Sequence, residues 1–193
     1  MNNKVVIATL AALVACVVLV AAYVVLTDKE ETGGEKPRLT EEELLASGVT
    51  LYKEDMRIVL HDVATLDGVP FDSGDIPKKY VLLTFWASWC PDCVLENPSL
   101  QRLYDKRESD TFTVLTISID TSQDALETYL QNYGYDFPVL INAKNNLWQD
   151  YFSVIPTSFL LSPDGHVIAK MVDYMDWDGE EAQRILDHLI SMP

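Results

Sequence analysis

Two cysteines separated by two residues are the side chains in this sequence best suited to chemistry. Cys90 and Cys93 enclose Pro91 and Asp92. Proline fits the first position of a helix, where a missing backbone N–H costs nothing, so this spacing predicts a helix that begins beside Cys90. The free N–H groups and the dipole at that end favour a thiolate over a thiol. Cys93 follows one turn later on the same face, so the two sulfurs can form a disulfide reversibly.

The position of each cysteine predicts its role in exchange. Cys90 is expected to be the nucleophile, because a thiolate with access to solvent is the attacking species, and Cys93 is expected to resolve the mixed disulfide. Two other interpretations remain: a structural disulfide without turnover, and half of a zinc site. Zinc would need further ligands, and the remaining cysteine, Cys16, lies inside an apolar run.

A buried strand is predicted directly before the cysteines. Residues 81–86 (VLLTFW) are apolar and strand-favouring, and a short connection, residues 87–89, joins them to Cys90. The segment FWASWCPDC, residues 85–93, resembles the active site of the thioredoxin superfamily. Its extension to C-x-x-C-x-x-E-x-P, with Glu96 and Pro98, resembles the membrane-anchored, extracytoplasmic TlpA/ResA-like branch. That resemblance extends from near Arg57 to the C-terminus.

The resemblance implies a thioredoxin fold, with a mixed central sheet flanked by helices and an N-terminal hairpin extension. It also implies roles for four residues outside the cysteine pair. Glu96 would be a buried acid that exchanges protons near the dithiol. Pro156, within VIPTSF, would be a cis proline beside it, with the backbone of Ile155 pairing with a substrate strand and Trp89 bordering the substrate groove. Thr84 stands where cytosolic thioredoxins have a buried aspartate.

Each of these residues also has an ordinary structural interpretation. Glu96 could be a solvated helix residue, since glutamate is rarely buried without a partner. Most X–Pro bonds are trans, so Pro156 could simply enter a strand. Trp89 could pack at the rim of the core. The acidic and aromatic residues 173–177 fall where the family has a loop beside the active site, and they could equally form a solvated entry to the last helix.

The remaining pattern predicts alternating helices and strands, as in an α/β protein. Thr40 and Glu43 form a capping box for a short helix that stops at Gly48, and Ser122 caps a helix that stops at Gly134. The other predicted elements are strands at 56–60 (with a turn at 67–68 into a second pairing), 112–119, 137–141, 158–161 and 167–172, and helices at 145–152 and 179–190.

The N-terminus predicts a membrane anchor. Residues 5–26 are apolar and uncharged, long enough to cross a bilayer, with Lys4 before them and charged residues 28–31 after them, which predicts an N-terminus inside and a domain outside. The expected organisation is an uncleaved signal anchor at 1–27, a tether and short helix at 28–50, and a thioredoxin-like domain at 51–193. A cleaved signal peptide would have a shorter apolar run. The lipoprotein-like box LVAC, ending at Cys16, is the other alternative, although the residues after it stay apolar.

Charge and motif together predict an extracytoplasmic, single-pass thiol–disulfide oxidoreductase that needs no cofactor. The formal net charge of −16 argues against nucleic-acid binding. Its partners would be cysteine-containing extracytoplasmic proteins and a membrane protein that recycles the dithiol.

The carboxylate of Asp92 disfavours the Cys90 thiolate, so a reductase is favoured, as in relatives that act in cytochrome c maturation. A disulfide-forming oxidase is the alternative. A copper chaperone would need C-x-x-x-C with a distal histidine, and a peroxidase would need Thr-x-x-Cys.

Overall fold

The structure is a computed structural model that describes residues 38–53, 55–142, 144, 147 and 151–192, together with Val20. Residues Leu39–Pro193 form one compact unit. Its helices are α1 (Glu41–Ala46), α2 (Pro91–Arg107), α3 (Gln123–Tyr133) and α4 (Glu180–Ile190). Its strands are β1 (Val49–Leu51), β2 (Val63–Thr65), β3 (Pro70–Phe71), β4 (Tyr80–Trp86), β5 (Phe112–Ser118), β6 (Val139–Ile141), β7 (Thr157–Leu161) and β8 (Val167–Val172).

The predicted anchor at 5–26, apart from Val20, and most of the predicted helix at 145–152 lie outside the described residues. Within the described ranges, no helix is both long and apolar enough to cross a membrane.

The strands form a mixed sheet in the order β1-β8-β7-β4-β5-β6-β2-β3. β4 runs parallel to β5 from Tyr80, opposite Phe112, to Trp86, opposite Ser118, and β5 runs parallel to β6. β7 lies antiparallel to β4 on its other side, with Phe85 opposite Thr157. The end of β4 and the start of β7 therefore meet at one edge of the sheet. The predicted α/β class and mixed sheet are confirmed.

The central strand is buried on both faces, as its continuous apolar run predicts. Side chains at Val81, Leu83 and Phe85 lie in one core cluster together with residues of β5 and α3, including Ile117, Leu126 and Leu130. Leu82 lies in the other cluster, with residues of α2 and α4 including Leu100, Leu103, Ile185 and Leu186. Helices thus cover both faces, and α2, which begins at the cysteine pair, is held against the sheet along its length.

The prediction of a strand at residues 56–60 is wrong. These residues have irregular backbone apart from one isolated bridge between Arg57 and His166, and the strand lies later, at β2. Ile58 and Leu60 are buried and Val59 is exposed, so the alternation that suggested a strand is real. However, side chains satisfy the backbone there: the N–H of Leu60 donates to Ser73 Oγ at 2.7 Å.

The turn at residues 67–68 is where the sequence predicts it, with Gly68 in the left-handed region at φ 83°. It joins β2 to β3, and β2 pairs with β6 at the edge of the sheet. This arrangement is the hairpin extension that the resemblance implies.

The predicted helix ends are confirmed where local signals encode them. Thr40 and Glu43 form the capping box of α1. Ser122 caps α3, and Gly134 ends it in the left-handed conformation. Leu44 of α1 and Val49 of β1 are buried in the core, so this short segment packs as part of the compact unit.

Candidate active site

The cysteine pair lies at the end of β4 where α2 begins. Pro91 is the first residue of α2 and Cys90 is its N-cap, as the spacing predicts. The backbone N–H of Cys93 donates to the Cys90 sulfur at 3.2 Å. The two sulfurs form a disulfide, with their Cα atoms 5.2 Å apart. Because the Cys93 N–H of the first helical turn points at the Cys90 sulfur, the same site will stabilise a thiolate there when the disulfide is reduced.

The surroundings of the two sulfurs differ. Cys90 retains 5% of its exposure and Cys93 retains none. The Cys90 sulfur lies 3.6 Å from the carbonyl oxygen of Ile155, which the register of β4 and β7 brings to the same edge of the sheet. An incoming sulfur can therefore reach Cys90 from solvent more readily than Cys93.

The Ile155–Pro156 peptide bond is cis, as the resemblance implies. The carbonyl of Pro156 accepts the N–H of Asp173 at 3.1 Å, which ties the proline to the loop after β8. Trp89 is 62% exposed beside Cys90, and Val154 is exposed next to Ile155. The structure thus brings Ile155 next to the Cys90 sulfur, with Pro156 and the exposed Trp89 adjacent to these two residues in the chain.

A buried carboxylate that sequence reasoning missed holds the connection before Cys90. Asp120 follows β5 and is 3% exposed. It accepts the N–H of Ser88 at 2.9 Å, the hydroxyl of Ser88 at 2.7 Å and the hydroxyl of Ser118 at 2.6 Å. The signal was available, because an aspartate directly after a buried parallel strand lies at the sheet edge where β4 also ends. Asp120 positions the turn that carries the nucleophile.

Glu96 lies one turn after Cys93 on α2 and is 1% exposed, so its interpretation as a solvated residue is wrong. Burial raises the pKa of Glu96 to about 8, against the opposing effects of the Met175 N–H and the Trp177 indole. The N–H of Met175 donates to Glu96 Oε1 at 3.1 Å. Around neutral pH the carboxyl is therefore largely protonated and can exchange that proton.

The position that holds an aspartate in cytosolic thioredoxins offers no second acid. Thr84 is fully buried on β4 and shares a hydrogen bond of 2.8 Å with the hydroxyl of Ser158 on β7. A hydroxyl cannot take up a proton at physiological pH. Thr84 therefore supplies no proton acceptor, and the buried acid on the active-site helix itself is Glu96.

A mixed sheet with a cysteine pair at the N-terminus of its central helix defines a thioredoxin-like thiol–disulfide oxidoreductase. The chain belongs to the AhpC/TSA family, whose sequence profile matches residues 58–170.

Named relatives agree with this class. The thiol-disulfide oxidoreductase ResA of Bacillus thuringiensis (strain Al Hakam) is 31% identical over 138 residues, which cover 66% of this chain and 80% of that protein. Among solved structures, a putative thiol:disulfide interchange protein DsbE from Chlorobium tepidum has 28% identity and a TM-score of 0.62, covering 72% of this chain and 99% of its own. StoA from Bacillus subtilis has 26% identity and a TM-score of 0.56, covering 69% and 99%. The predicted superfamily and enzyme class are confirmed.

Proposed function

We propose that the chain reduces disulfides in extracytoplasmic proteins by dithiol exchange. The Cys90 thiolate attacks one sulfur of a client disulfide, which forms a mixed disulfide and releases the first client thiolate. Cys93 then attacks the Cys90 sulfur, which releases the second client thiolate and leaves the Cys90–Cys93 disulfide. The client gains two electrons, and two protons complete its thiols. A membrane redox partner returns two electrons to the pair.

The observation that carries this proposal is the position of the Cys90 sulfur. It is the N-cap of α2 and accepts the Cys93 N–H, so the thiolate needed for attack is stabilised at the more exposed of the two cysteines. A purely structural disulfide has no need of this placement.

The surface around Cys90, with the exposed side chains of Trp89 and Val154, supplies a place for the client. An extended client segment would lie along residues 154–156, with its backbone paired to Ile155 and its side chains against Trp89 and Pro156. The 3.6 Å distance from the Ile155 carbonyl oxygen to the Cys90 sulfur supports this role, because a client strand paired there would place its sulfur within reach.

Glu96 would accept the proton of the buried cysteine, Cys93. Cys93 has no exposure, so its thiol cannot hand its proton directly to solvent. Glu96 follows on the same face of α2, and a carboxyl with a pKa of about 8 can hold or release a proton near neutral pH. The proton would move from the Cys93 thiol to the Glu96 carboxylate as Cys93 attacks.

The direction of electron flow follows from Asp92, the acidic residue in the first turn of α2. Asp92 is exposed and stands between the two cysteines in the sequence, and its negative charge opposes the positive end of the helix, so it destabilises the Cys90 thiolate and favours the disulfide. A pair that favours its disulfide is a reductant. A disulfide-forming oxidase is the second candidate, and a measurement of potential separates the two.

A strongly oxidising cysteine pair has a reduction potential of about −120 mV. The potential of the Cys90–Cys93 pair, measured against glutathione, is expected to lie well below that value. Asp92→Asn is expected to move the potential in the oxidising direction, because loss of the charge stabilises the thiolate. Asp110→Asn is the matched control, since Asp110 precedes β5 at the end of the sheet opposite to Trp86. A potential near that of a strong oxidant, with a pair mainly oxidised in cells, would establish the oxidase instead.

We further propose that residues 1–27 anchor the chain in the cell membrane and that the chain after them places the compact unit, which begins at Leu39, on the extracytoplasmic side. The uncharged apolar run at 5–26 and the charges that flank it support this topology. Alkali-washed membranes should retain the protein, and external protease should remove the domain from intact cells. Full-length chain in the cytosolic fraction would contradict the anchor, and lipid labelling lost in Cys16→Ala would identify a lipoprotein.

A further inference from the structure

Two complementary polar atoms on neighbouring side chains lack a hydrogen bond in the described part of the core. They are Oε2 of Glu96 and Nε1 of Trp177. Glu96 is 1% exposed and Trp177 is fully buried, so bulk solvent does not reach either side chain. An indole nitrogen can only donate, and an ionised carboxylate oxygen can only accept. The two atoms are therefore suited to each other in one protonation state of Glu96.

Hydrogen bonds from backbone N–H groups to side chains hold the segments that carry Glu96 and Trp177 together. The loop after β8 lies across the turn of α2 that begins at Glu96: the Met175 N–H donates to Glu96 Oε1 at 3.1 Å, and the Trp177 N–H donates to Ser99 Oγ at 3.0 Å. The Ser99 hydroxyl in turn donates to the Glu96 carbonyl oxygen at 2.8 Å. The Trp177 indole interacts with the Glu96 carboxyl and lowers its pKa, against the larger and opposite effect of burial.

The protonation state of Glu96 decides whether the indole has a partner. In the neutral acid, Oε1 accepts the Met175 N–H, so the proton belongs on Oε2. An O–H at Oε2 and the N–H of Trp177 are both donors, and they have no strong bond to make with each other. Once the proton leaves, Oε2 becomes a charged acceptor and the indole N–H can donate to it.

We propose that Trp177 is a positioning residue for the exchange reaction: its indole N–H binds Oε2 of Glu96 when that carboxyl has lost its proton. In this way the indole stabilises the form of Glu96 that accepts the proton of the Cys93 thiol. As that S–H bond breaks and the O–H bond at Oε2 forms, the indole bond is released. This inference rests on the proposed role of Glu96 in proton exchange.

Other titratable groups lie on the elements that enclose Glu96, and they are the possible sources of a pH effect besides the pairing of Glu96 with Trp177. In the loop after β8 and in the first turns of α2 and α4 they are the two cysteines, Tyr174, the exposed carboxyls Asp92, Asp173, Asp176, Glu180 and Glu181, and Asp178, which forms ion pairs with Arg102 and Lys106. The oxidised protein removes the cysteines from the titration, so the indole signal can be followed against Glu96 alone.

The direct test is a pH titration of the indole N–H signals of the oxidised wild-type protein by 1H–15N NMR. The Trp177 signal, assigned by its loss in Trp177→Phe, is expected to move downfield with a midpoint at about pH 8, the pKa of Glu96. In Glu96→Gln this shift should vanish. Trp86 is the matched control, because it is fully buried and its Nε1 also lacks a partner, yet it packs against Tyr129 and Phe137 in the core cluster that does not contain Trp177. A Trp177 signal that stays constant with pH, or that titrates equally in Glu96→Gln, would overturn the proposal.

The kinetic test uses the pH dependence of thiol alkylation in the reduced protein. Trp177→Phe keeps an aromatic ring but deletes the N–H, so the midpoint that Glu96 contributes should rise by about one pH unit, a tenfold change in its proton affinity. Trp86→Phe should leave that midpoint in place. In a Glu96→Gln background, Trp177→Phe should not change the profile.

These results separate the two proposals. If Glu96→Gln itself has the wild-type profile, the proton-exchange role of Glu96 is wrong. If Glu96→Gln changes the profile and Trp177→Phe does not, that role stands and the role of Trp177 is wrong.

Discussion

Cys90→Ala is expected to lose thiol–disulfide exchange by at least about a thousandfold, because it removes the nucleophile. Cys93→Ala is expected to accumulate mixed disulfides between Cys90 and client proteins, because attack still occurs and nothing resolves the product. The difference follows from the site, where Cys90 caps α2 and retains some exposure while Cys93 has none.

The trapping experiment is best made in a Cys16→Ala background, so that the third cysteine cannot form cross-links. Acid first stops thiol exchange and an alkylating agent then blocks the free thiols. The mixed disulfides are separated on non-reducing gels. The variant without both Cys90 and Cys93 is the matched control and should trap nothing. Trapping by Cys90→Ala but not by Cys93→Ala would mean that the attacking and resolving roles are reversed.

Glu96→Gln is expected to make the stability of the oxidised protein much less dependent on pH. Burial raises the pKa of Glu96 from 4.5 to about 8. Between these two values the unfolded chain releases this proton and the folded chain keeps it, so the folded state loses stability as pH rises. The contribution is fully present below pH 4.5 and is lost by about pH 8, and a shift of this size corresponds to roughly 5 kcal/mol.

Urea unfolding of the oxidised proteins from pH 4 to 9 measures this difference. The oxidised form is used because its cysteines do not titrate. Glu42→Gln, on the exposed face of α1, is the control and should follow the wild type. A constant stability difference between Glu96→Gln and wild type across this range would mean that folding does not raise the pKa of Glu96.

The same substitution should change the reduced enzyme. An ionised Glu96 places a negative charge one helical turn from Cys93, which disfavours a thiolate there, so Glu96→Gln should lower the apparent pKa of the dithiol. In the wild type the titrations of the acid and the thiols should be shared and broad, and in the variant they should be steeper. Alkylation rates measured over the same pH series check this expectation, again with Glu42→Gln as the control. If Glu96→Gln and wild type have the same profile, the proton-exchange role is wrong.

Local sequence was enough to predict the start of the active-site helix. Pro91 can occupy the first helical position, Cys90 can serve as the cap, and Cys93 must then follow one turn later, so the hydrogen bond that stabilises the Cys90 sulfur joins residues only three apart. The capping box of Thr40 and Glu43 was predictable for the same reason.

Local pattern failed where the tertiary structure supplies the hydrogen bonds. Residues 56–60 alternate between buried and exposed like a strand, but their backbone bonds include those from Leu60 to Ser73 and from Val59 to the hydroxyl of Tyr151. A period of two shows which side chains are buried, and it does not show what the backbone pairs with.

The chemical properties of the site were decided by contacts between distant residues. Asp120 reaches Ser88 across 32 positions, Ile155 reaches Cys90 across 65, and Met175 reaches Glu96 across 79. The sequence by itself determined that a dithiol would lie at a helix start, because caps and turns form between near neighbours. Only the tertiary structure decided that Glu96 would be buried and largely protonated at neutral pH, because desolvation depends on which residues fold over the carboxyl.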